Sequence, residues 1–420
     1  MRWRWEEKTR RTPWQPPPED ALVDELQTRL GAGNVSVLRK PDDESPRCLV
    51  HVNTTEVAAR AVALLDGQHT VPVIGLPKGN VPGQRPGCVL INLGRMNALL
   101  GVDEESQVAH VQSGSRWRRL AYLLQRRGLT VGPLPRWVLD RSIAETLAHD
   151  ERLRPSPRYG QLLDHVLGGA AVLPRGAVSR LSPSPRRATG PDLWGAMRGA
   201  DHQNGLLTEV YLQAWPQSGK RDLHGISVKS WGEGLKLMWQ LIGRGFAPSW
   251  WRLAPVEGTL ALWADFADHP MDGELASSYM YAGAGKTWDR DQIAAFADEI
   301  FPTITPDPAV KDDVATPPPA VVLWIPRHQL ETLAPQVEGG ALWGLDTGGG
   351  IMFSEVVPDD AQIEAWCAAG AQITVNGVPR GSNPWGDIAA AVSAHLNSQP
   401  MAEGVLVDGL ERPLRAGSPF

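Results

Sequence analysis

The 420-residue sequence has few cysteines and no long apolar run. Its three cysteines, Cys48, Cys88 and Cys367, stand far apart, which excludes a disulfide framework and a cysteine-based metal site. No apolar stretch approaches the roughly 20 residues that a membrane-spanning helix needs. The basic N-terminus lacks the apolar segment of a signal peptide. We therefore expect a cytoplasmic protein with reduced thiols and no membrane span.

An excess of positive charge and paired histidines are also missing. The net charge is −6, so no overall basic field points to nucleic acid as a partner. The 10 histidines are isolated, and His224, His269 and His328 in the second half form no His-x-His or His-His pair. An isolated histidine is more often structural than catalytic or metal-binding. The sequence therefore predicts no metal site.

What the chain does have is ample material for a buried core. It is 42% hydrophobic and contains 17 Trp beside only 5 Tyr and 6 Phe. Most of these indoles are expected in the core or between domains, because a large aromatic side chain gains most when it is buried. The length suggests two to three domains.

Apolar periodicity predicts an α+β fold with strands joined mostly through short turns. In the first half, helical spacing covers 19–30, 54–65 and 117–128, and strand patterns cover 48–53, 70–76, 88–93 and 108–114. A helix and then a strand are expected within 141–176, and a long strand ends near 216. The second half predicts strands at 226–231, 249–255, 259–266, 321–326, 341–353 and 372–377, and helices at 232–241, 289–300 and 328–336.

Five segments in the first half resemble the PCMH-type FAD-binding domain of the vanillyl-alcohol-oxidase family, which includes glycolate oxidase subunits. They are LVHVNTTEVAARAVALL, VPVIGLPKGNVPGQRPGCVLINLGRMN, the run from LINLGRMN to LLQRRGL, RYGQLLDHVLGGAAVLPRGAV and RGADHQNGLLTEVYLQAWP. Their order and spacing follow the family pattern from about residue 45 to 216. The resemblance implies a two-subdomain FAD-binding domain followed by an α+β cap domain.

The resemblance also implies which residues bind the cofactor, FAD. In this family, main-chain N–H groups of two Gly-rich loops hold the pyrophosphate, because glycine lets the backbone come close. The positions that correspond to the family's cofactor site are Gly75, Lys78, Gly79, Pro133, Ser142, Ile143, Ala144, Arg158, Tyr159, Gly160, Gly199, Ala200, His202, Gly205, Leu206 and Leu207. No catalytic residue can be assigned from the pattern.

Both phosphate loops depart from the family pattern. Leu76 and Pro77 stand where the first loop usually has glycine, and Pro77 also removes a main-chain donor. In the second loop Ala144 and Glu145 replace a pair of glycines, and a carboxylate near a pyrophosphate is repelled by it. His202 replaces a glycine close to the expected flavin ring. These changes define the two hypotheses that follow.

The first hypothesis is an FAD-dependent oxidoreductase that oxidises a small hydroxy acid or alcohol by hydride transfer to the flavin. The alternative is a flavin-free relative that acts as a scaffold or as the inactive subunit of a hetero-complex with a flavoprotein or electron-transfer subunit. The predicted organisation is an N-terminal arm and helix (1–40), the FAD-binding domain (41–217), a cap or substrate domain with helices on one face of its sheet (218–400) and a tail (401–420).

Two further motifs are set aside. The run YAGAGKTWD at 281–289 lacks the first glycine of a phosphate loop. Asp346-Thr347-Gly348 matches an aspartic-protease triplet, but such a site needs a second carboxylate, so a hairpin turn is predicted.

Overall fold

The fold is α+β, as the periodicity predicted. The computed structural model describes residues 21–37, 47–65, 70–73, 89–149, 156–181, 194, 197, 204–217, 221–266, 280–281, 287–301, 319–345, 349–375 and 378–380. The strands in these ranges form three main sheets, and each sheet has helices packed against it.

The first sheet contains the N-terminal strands in the order β1-β2-β4-β3. The strands are β1 (Val35–Val37), β2 (Cys48–His51), β3 (Thr70–Val73) and β4 (Val89–Asn92). Strand β4 runs parallel to β2 and β3, whereas β1 is antiparallel to β2. Helices α1 (Ala21–Leu30) and α2 (Thr55–Leu64) share its core. The Thr54 hydroxyl caps α2 by accepting the Val57 N–H at 3.2 Å.

The second sheet is antiparallel and has the order β5-β6-β10-β8-β9. Its strands are β5 (Leu99–Asp103), β6 (Val108–Gln112), β8 (Val166–Val172), β9 (Val178–Leu181) and β10 (Leu206–Gln213). A separate short pair consists of β7 (Leu129–Thr130) and β11 (Trp215–Pro216). Between β6 and β8 the chain forms α3 (Trp117–Gln125), α4 (Arg136–Leu139) and α5 (Ile143–His149).

The third sheet has eight antiparallel strands in the order β12-β14-β13-β16-β17-β15-β18-β19. They are β12 (Leu223–Val228), β13 (Trp250–Val256), β14 (Thr259–Asp265), β15 (Val321–Pro326), β16 (Ala341–Leu345), β17 (Gly349–Ser354), β18 (Gln372–Val375) and β19 (Val378–Arg380). Strands β16 and β17 pair on either side of the predicted turn at 346–348, which lies outside the described residues.

The third sheet has a hydrophobic core on each face. One core contains residues of α6 (Trp231–Gly243), α8 (Leu330–Leu333) and α9 (Asp360–Ala368). The other core continues into the second sheet and also contains Ile293, Ala297 and Phe301 at α7 (Arg290–Ile300). The expectation of helices on one face only was therefore wrong, because the apolar side of α7 packs on the face toward the second sheet.

Local chemistry explains where elements differ from the expected bounds. The strand expected at 226–231 ends at Val228, because the Ser230 hydroxyl accepts the Glu233 N–H at 3.2 Å and starts α6. The helix expected at 328–336 is split into α8 with a 3-10 turn on each side, and Pro335 lies in the second turn. Helix α9 was not predicted. The predicted arm at 1–20 and tail at 401–420 lie outside the described residues.

Candidate cofactor and substrate site

The first two sheets meet where β6 ends, and a glycine at this point allows their backbones to come into contact. A Cβ built on Gly114 would overlap the carbonyl oxygen of Leu93, which follows β4. The same role recurs at Gly205, which has φ +148° and whose Cβ would lie 2.7 Å from the Val172 carbonyl oxygen. These glycines let two backbones touch, so they serve chain packing between and within the sheets. Gly205 was predicted as a cofactor contact.

The predicted second phosphate loop is the capped start of α5. The Ser142 side chain accepts the Glu145 N–H at 3.1 Å, and its carbonyl accepts the Thr146 N–H at 3.2 Å. The Thr146 hydroxyl in turn accepts the indole N–H of Trp117 at 2.9 Å. All these groups except Glu145 are buried. The turn is therefore rigidly packed into the domain.

The two preceding N–H groups of this turn are also used inside the protein. Ile143 donates to the Ser115 carbonyl at 3.0 Å, and Ala144 donates to the Ser113 carbonyl at 2.8 Å. Four consecutive main-chain donors, 143–146, thus already have protein acceptors. Because an N–H makes one strong hydrogen bond, a pyrophosphate at this turn must be held mainly by other donors.

One such donor lies beside the turn. The Ser115 hydroxyl is buried and has no hydrogen-bond partner among the described residues. A buried hydroxyl without a partner is costly unless a ligand completes it, so this group fits an anionic cofactor placed at the junction of the two sheets. The first-loop residues Gly75, Lys78 and Gly79, and the later Gly199, Ala200 and His202, lie outside the described residues.

The predicted Arg158-Tyr159-Gly160 segment joins the first half of the chain to the third sheet. The Arg158 N–H donates to the Pro248 carbonyl at 3.2 Å. The Ser156 hydroxyl donates to the Ser249 carbonyl at 2.5 Å. Tyr159 is buried, and Gly160 adopts φ +64°, which favours glycine. These bonds fix the start of β13 against the first half.

Within this joint, the Arg158 Nη1 atom is buried and has no hydrogen-bond partner among the described residues. Its guanidinium lies 5.5 Å from the Tyr159 ring centroid. Of the remaining predicted positions, Leu206 and Leu207 are core residues, and Pro133 is half-buried in the extended segment before α4. The structure thus brings Ser142, Ile143 and Ala144 to one junction and Arg158 to another.

Sequence reasoning missed a half-buried contact between a glutamate and a histidine. Glu209, in the matching Thr-Glu motif, accepts from His110 Nε2 at 2.9 Å and from the Thr55 hydroxyl at 3.2 Å. The hydrogen bond from His110 lowers the pKa of Glu209, against the opposing effect of burial. The contact ties the first turn of α2 to the second sheet. Since 99 residues separate His110 from Glu209, no local pattern pointed to it.

The face of the third sheet that meets the second sheet carries a cation among aromatic rings. The half-buried guanidinium of Arg252, on β13, lies 4.5 Å from the Phe296 ring centroid, 5.4 Å from Trp263 and 5.9 Å from Trp343. Trp137 of α4 meets Trp343 edge-on at 6.2 Å, which connects this cluster to the first half of the chain. Sequence reasoning missed Arg252 as well.

The described residues contain no cluster of three or more His, Cys, Asp or Glu side chains that could hold a metal ion. None of the helices in the described ranges is both long and apolar enough to span a membrane.

Comparison with known proteins identifies the first half of the chain. Residues 46–182 match the family described as FAD binding domain. Residues 46–182 are thus similar to an FAD-binding domain. The match covers the first sheet from β2 onward, most of the second sheet and the α5 turn, so the junction at Gly114 and Ser115 lies within the matched residues.

Curated relatives are similar to parts of this chain. YgcU of Escherichia coli (strain K12), an uncharacterized FAD-linked oxidoreductase, is 26% identical over 275 residues, 59% of this chain and 56% of YgcU. D-lactate dehydrogenase of Anaerostipes hadrus is 31% identical over 41% of this chain and 37% of that protein. Glycolate oxidase subunit GlcD of Bacillus subtilis (strain 168) is 24% identical over 39% of this chain and 36% of that protein. The chain spans little more than half the length of YgcU.

Solved structures extend the likeness to the whole fold. Alkyldihydroxyacetonephosphate synthase superposes with a TM-score of 0.63 at 14% identity, over 91% of this chain and 84% of that protein. At this identity the likeness concerns the fold alone. It covers the third sheet as well as the FAD-binding domain, which agrees with the predicted fold class.

Proposed function

We propose that this chain is an FAD-dependent oxidoreductase that oxidises a small hydroxy acid or alcohol. The observation that carries the proposal is the family match over residues 46–182, on two sheets whose junction holds the unpartnered Ser115 hydroxyl. Several relatives are named FAD-linked oxidoreductase, D-lactate dehydrogenase or glycolate oxidase subunit. Bound FAD supplies a hydride acceptor for a C–H bond next to oxygen.

The chain's own residues divide the work of binding between the two halves. We place the pyrophosphate against the Ser115 hydroxyl and the predicted first loop with Lys78. The main-chain N–H groups of residues 143–146 already have protein acceptors. The second loop therefore contributes to cofactor binding through the shape of the site more than through hydrogen bonds. Glu145 is half-exposed in the first turn of α5, and it opposes a nearby anion.

The third sheet supplies the substrate side of the proposed site. Arg252 is a permanent cation on the face toward the FAD-binding domain, and Phe296, Trp263 and Trp343 shield it from water. In such surroundings a guanidinium binds a carboxylate more strongly than it does in open solvent. We therefore assign Arg252 to the carboxylate of a hydroxy-acid substrate. The Arg158–Pro248 joint holds the strand that carries it.

We also propose an electron-transfer subunit as a partner, since one relative, GlcD, is named as a subunit. Co-purification of this chain with a second flavoprotein or electron carrier from its own source supports that arrangement. Turnover by the isolated chain with oxygen or a dye as the acceptor contradicts the need for a partner.

The test of the reaction is anaerobic reduction of the FAD-loaded protein. Small 2-hydroxy acids, their amides and simple alcohols are mixed with it, and bleaching of the flavin absorbance is followed. Bleaching by a hydroxy acid and a much slower reaction with its uncharged amide are expected. A loaded, folded protein that no hydroxy acid or alcohol bleaches contradicts the proposed reaction.

A further inference from the structure

A hydrogen-bonded chain of three side chains lies at one edge of the third sheet, outside the proposed site. His224 Nε2 is 2.8 Å from an Asp222 carboxylate oxygen, and His224 Nδ1 is 3.2 Å from the Tyr281 hydroxyl. Because a carboxylate only accepts, the proton of the neutral ring is on Nε2 and Nδ1 is an acceptor. The Tyr281 hydroxyl therefore donates to His224. The phenol is 37% exposed at the surface.

The surroundings of Tyr281 disfavour ionisation of its phenol and also supply an acceptor for its proton. Burial of part of the ring raises the pKa of Tyr281 above its ordinary value, and the Asp222 charge acts in the same direction, which together outweigh the lowering by a hydrogen bond to the Gly225 main chain and by the Arg290 charge. Simple ionisation at neutral pH is thus disfavoured. Loss of an electron, in contrast, makes a phenol strongly acidic, and Nδ1 of His224 is already in place to take the proton.

The aromatic interior of the cap reaches the same point of β12 from the other face. Gly225 follows His224, so its Cα position faces the opposite side of the sheet. A Cβ there would lie 2.8 Å from Trp263 Cδ1 and 3.0 Å from Trp288 Cβ, so the Trp263 indole and the first side-chain carbon of Trp288 lie against the bare backbone. The main-chain N–H of Trp288 also donates to the Gly225 carbonyl at 3.0 Å. One strand therefore separates two indoles from Tyr281.

The indoles continue inward as a contiguous series of rings. Trp263 and Trp288 are 5.5 Å apart, Trp263 and Phe296 5.2 Å, and Phe296 and Trp343 5.5 Å, between ring centroids. The series reaches the FAD-binding domain at Trp137, which is 6.2 Å from Trp343. A packed series of aromatic rings, of which the indoles are the easily oxidised members, thus runs from the domain junction toward the surface phenol.

We propose that Tyr281 is a redox-active tyrosine through which oxidising equivalents leave the aromatic interior of the cap. An oxygen-derived radical takes one electron from Trp263 or Trp288 and is reduced. Tyr281 returns one electron to the indole, and its hydroxyl proton passes to Nδ1 of His224. The products are a neutral phenoxyl radical and an imidazolium held by Asp222. An external thiol then restores the phenol by giving one hydrogen atom, while the proton on His224 is released to water.

The second sheet offers a matched control for this geometry. His110 there is also bound to a carboxylate, Glu209, at 2.9 Å, and a tyrosine, Tyr211, lies beside it. The two rings are stacked with centroids 4.2 Å apart and an interplanar angle of 18°, so the imidazole faces the phenol ring and not its hydroxyl. Tyr211 therefore has a neighbouring histidine without the hydrogen bond that takes up its proton.

The experiment is flash oxidation of the purified full-length chain with photogenerated tris(bipyridine)ruthenium(III), followed by transient absorption and electron paramagnetic resonance. In the wild type and in Tyr211→Phe, a tryptophanyl signal is expected to decay as a tyrosyl signal rises. In Tyr281→Phe the tyrosyl signal is lost and the tryptophanyl radical persists. In His224→Leu the tyrosyl signal rises more slowly, with circular dichroism used to verify folding.

Three results overturn the proposal. They are an undiminished tyrosyl signal in Tyr281→Phe, an equal loss in Tyr211→Phe, and an unchanged rise in folded His224→Leu. Where His224→Leu does not fold, the wild type is compared in light and heavy water, and an identical rate of rise has the same meaning. None of these measurements requires bound flavin, so the result stands apart from the proposed oxidoreductase activity.

Discussion

The main-chain N–H of Arg158 donates a hydrogen bond to the carbonyl oxygen of Pro248, 3.2 Å away. Arg158 belongs to the motif that resembles the FAD-binding family, and Pro248 lies just before β13 of the third sheet. Because β13 also carries Arg252, this contact sets the position of a cation relative to the FAD-binding domain. The joint therefore connects the cofactor half of the proposed site to its substrate half.

The joint can be weakened without touching a charged group. Ser156→Ala removes the hydroxyl that donates to the Ser249 carbonyl and accepts the Tyr159 N–H at 3.0 Å. We expect the free energy of unfolding to fall by about 1–3 kcal/mol, measured by urea denaturation. Ser179→Ala, at an exposed hydroxyl, is the control and should change it by less than about 0.5 kcal/mol. Equal effects of the two substitutions on the free energy of unfolding would contradict a stabilising role of the Ser156 hydrogen bonds.

The contact of the first two sheets predicts a second stability effect. Gly114→Ala places a methyl group where the Leu93 carbonyl oxygen lies, so the sheets must separate or the strand must shift. A loss of about 1–3 kcal/mol or more is expected in thermal or urea unfolding. Gly101→Ala in β5 is the matched control, since a Cβ there meets no atom within 4 Å. A Gly114→Ala variant as stable as Gly101→Ala rules out the tight approach.

The Glu209–His110 pair predicts a pH dependence of stability. The folded-state pKa of Glu209 lies below its ordinary value of 4.5, so its stabilisation is present above that value and is lost as the pH falls through the lowered pKa. Glu209→Gln should flatten the acid limb of the urea midpoint plotted against pH, whereas the exposed Glu104→Gln should leave it steep. An unchanged acid limb in Glu209→Gln is the contrary result.

Arg252 should govern the binding of a charged substrate. Arg252→Met removes a charge-assisted contact worth about 1.5–3 kcal/mol, which raises KM for a hydroxy acid about 10- to 100-fold. KM for an uncharged alcohol should change little. Arg327→Met is the control, because Arg327 lies 4.1 Å from the Trp239 ring centroid on the other side of the sheet. A KM that rises equally for both substrates contradicts carboxylate recognition.

Glu145 should limit cofactor affinity. Two unit charges 4 Å apart interact by about 4 kcal/mol at an effective dielectric constant near 20, and solvent exposure reduces this greatly. Relief of about 1.4 kcal/mol corresponds to a tenfold tighter dissociation constant. We therefore expect Glu145→Gln to bind FAD about tenfold more tightly in a fluorescence titration. Glu104→Gln should leave the dissociation constant unchanged. If Glu145→Gln does not bind FAD more tightly, Glu145 does not lie near the pyrophosphate.

Much of the fold was predictable because its signals are local. The short apolar run in TLALWADF predicts β14, and Asp289 before an apolar helical pattern predicts the start of α7. Helix α9 gave a weaker signal, because Trp366 is its one buried side chain and only Ile363 and Cys367 pack beside it, partly buried, against the core. Contacts between residues that are far apart in the sequence could not be predicted, because they leave no local pattern.

The site was predictable only where its motifs are contiguous. The resemblance located Ser142 and Arg158, but not the bonds that use up the N–H groups of 143–146, because their acceptors Ser113 and Ser115 come from another segment. Arg252 and the rings around it, Phe296 and Trp343, also come from separate elements. Pairings of this kind are set by the tertiary fold.

The central claim is that this chain binds FAD, and a visible absorbance spectrum tests it most directly. The purified protein is incubated with excess FAD, desalted and scanned, with circular dichroism recorded on the same sample. We predict a flavin spectrum that stays with the protein at close to one FAD per chain. A folded protein that remains colourless after this treatment contradicts the account and favours a flavin-free scaffold.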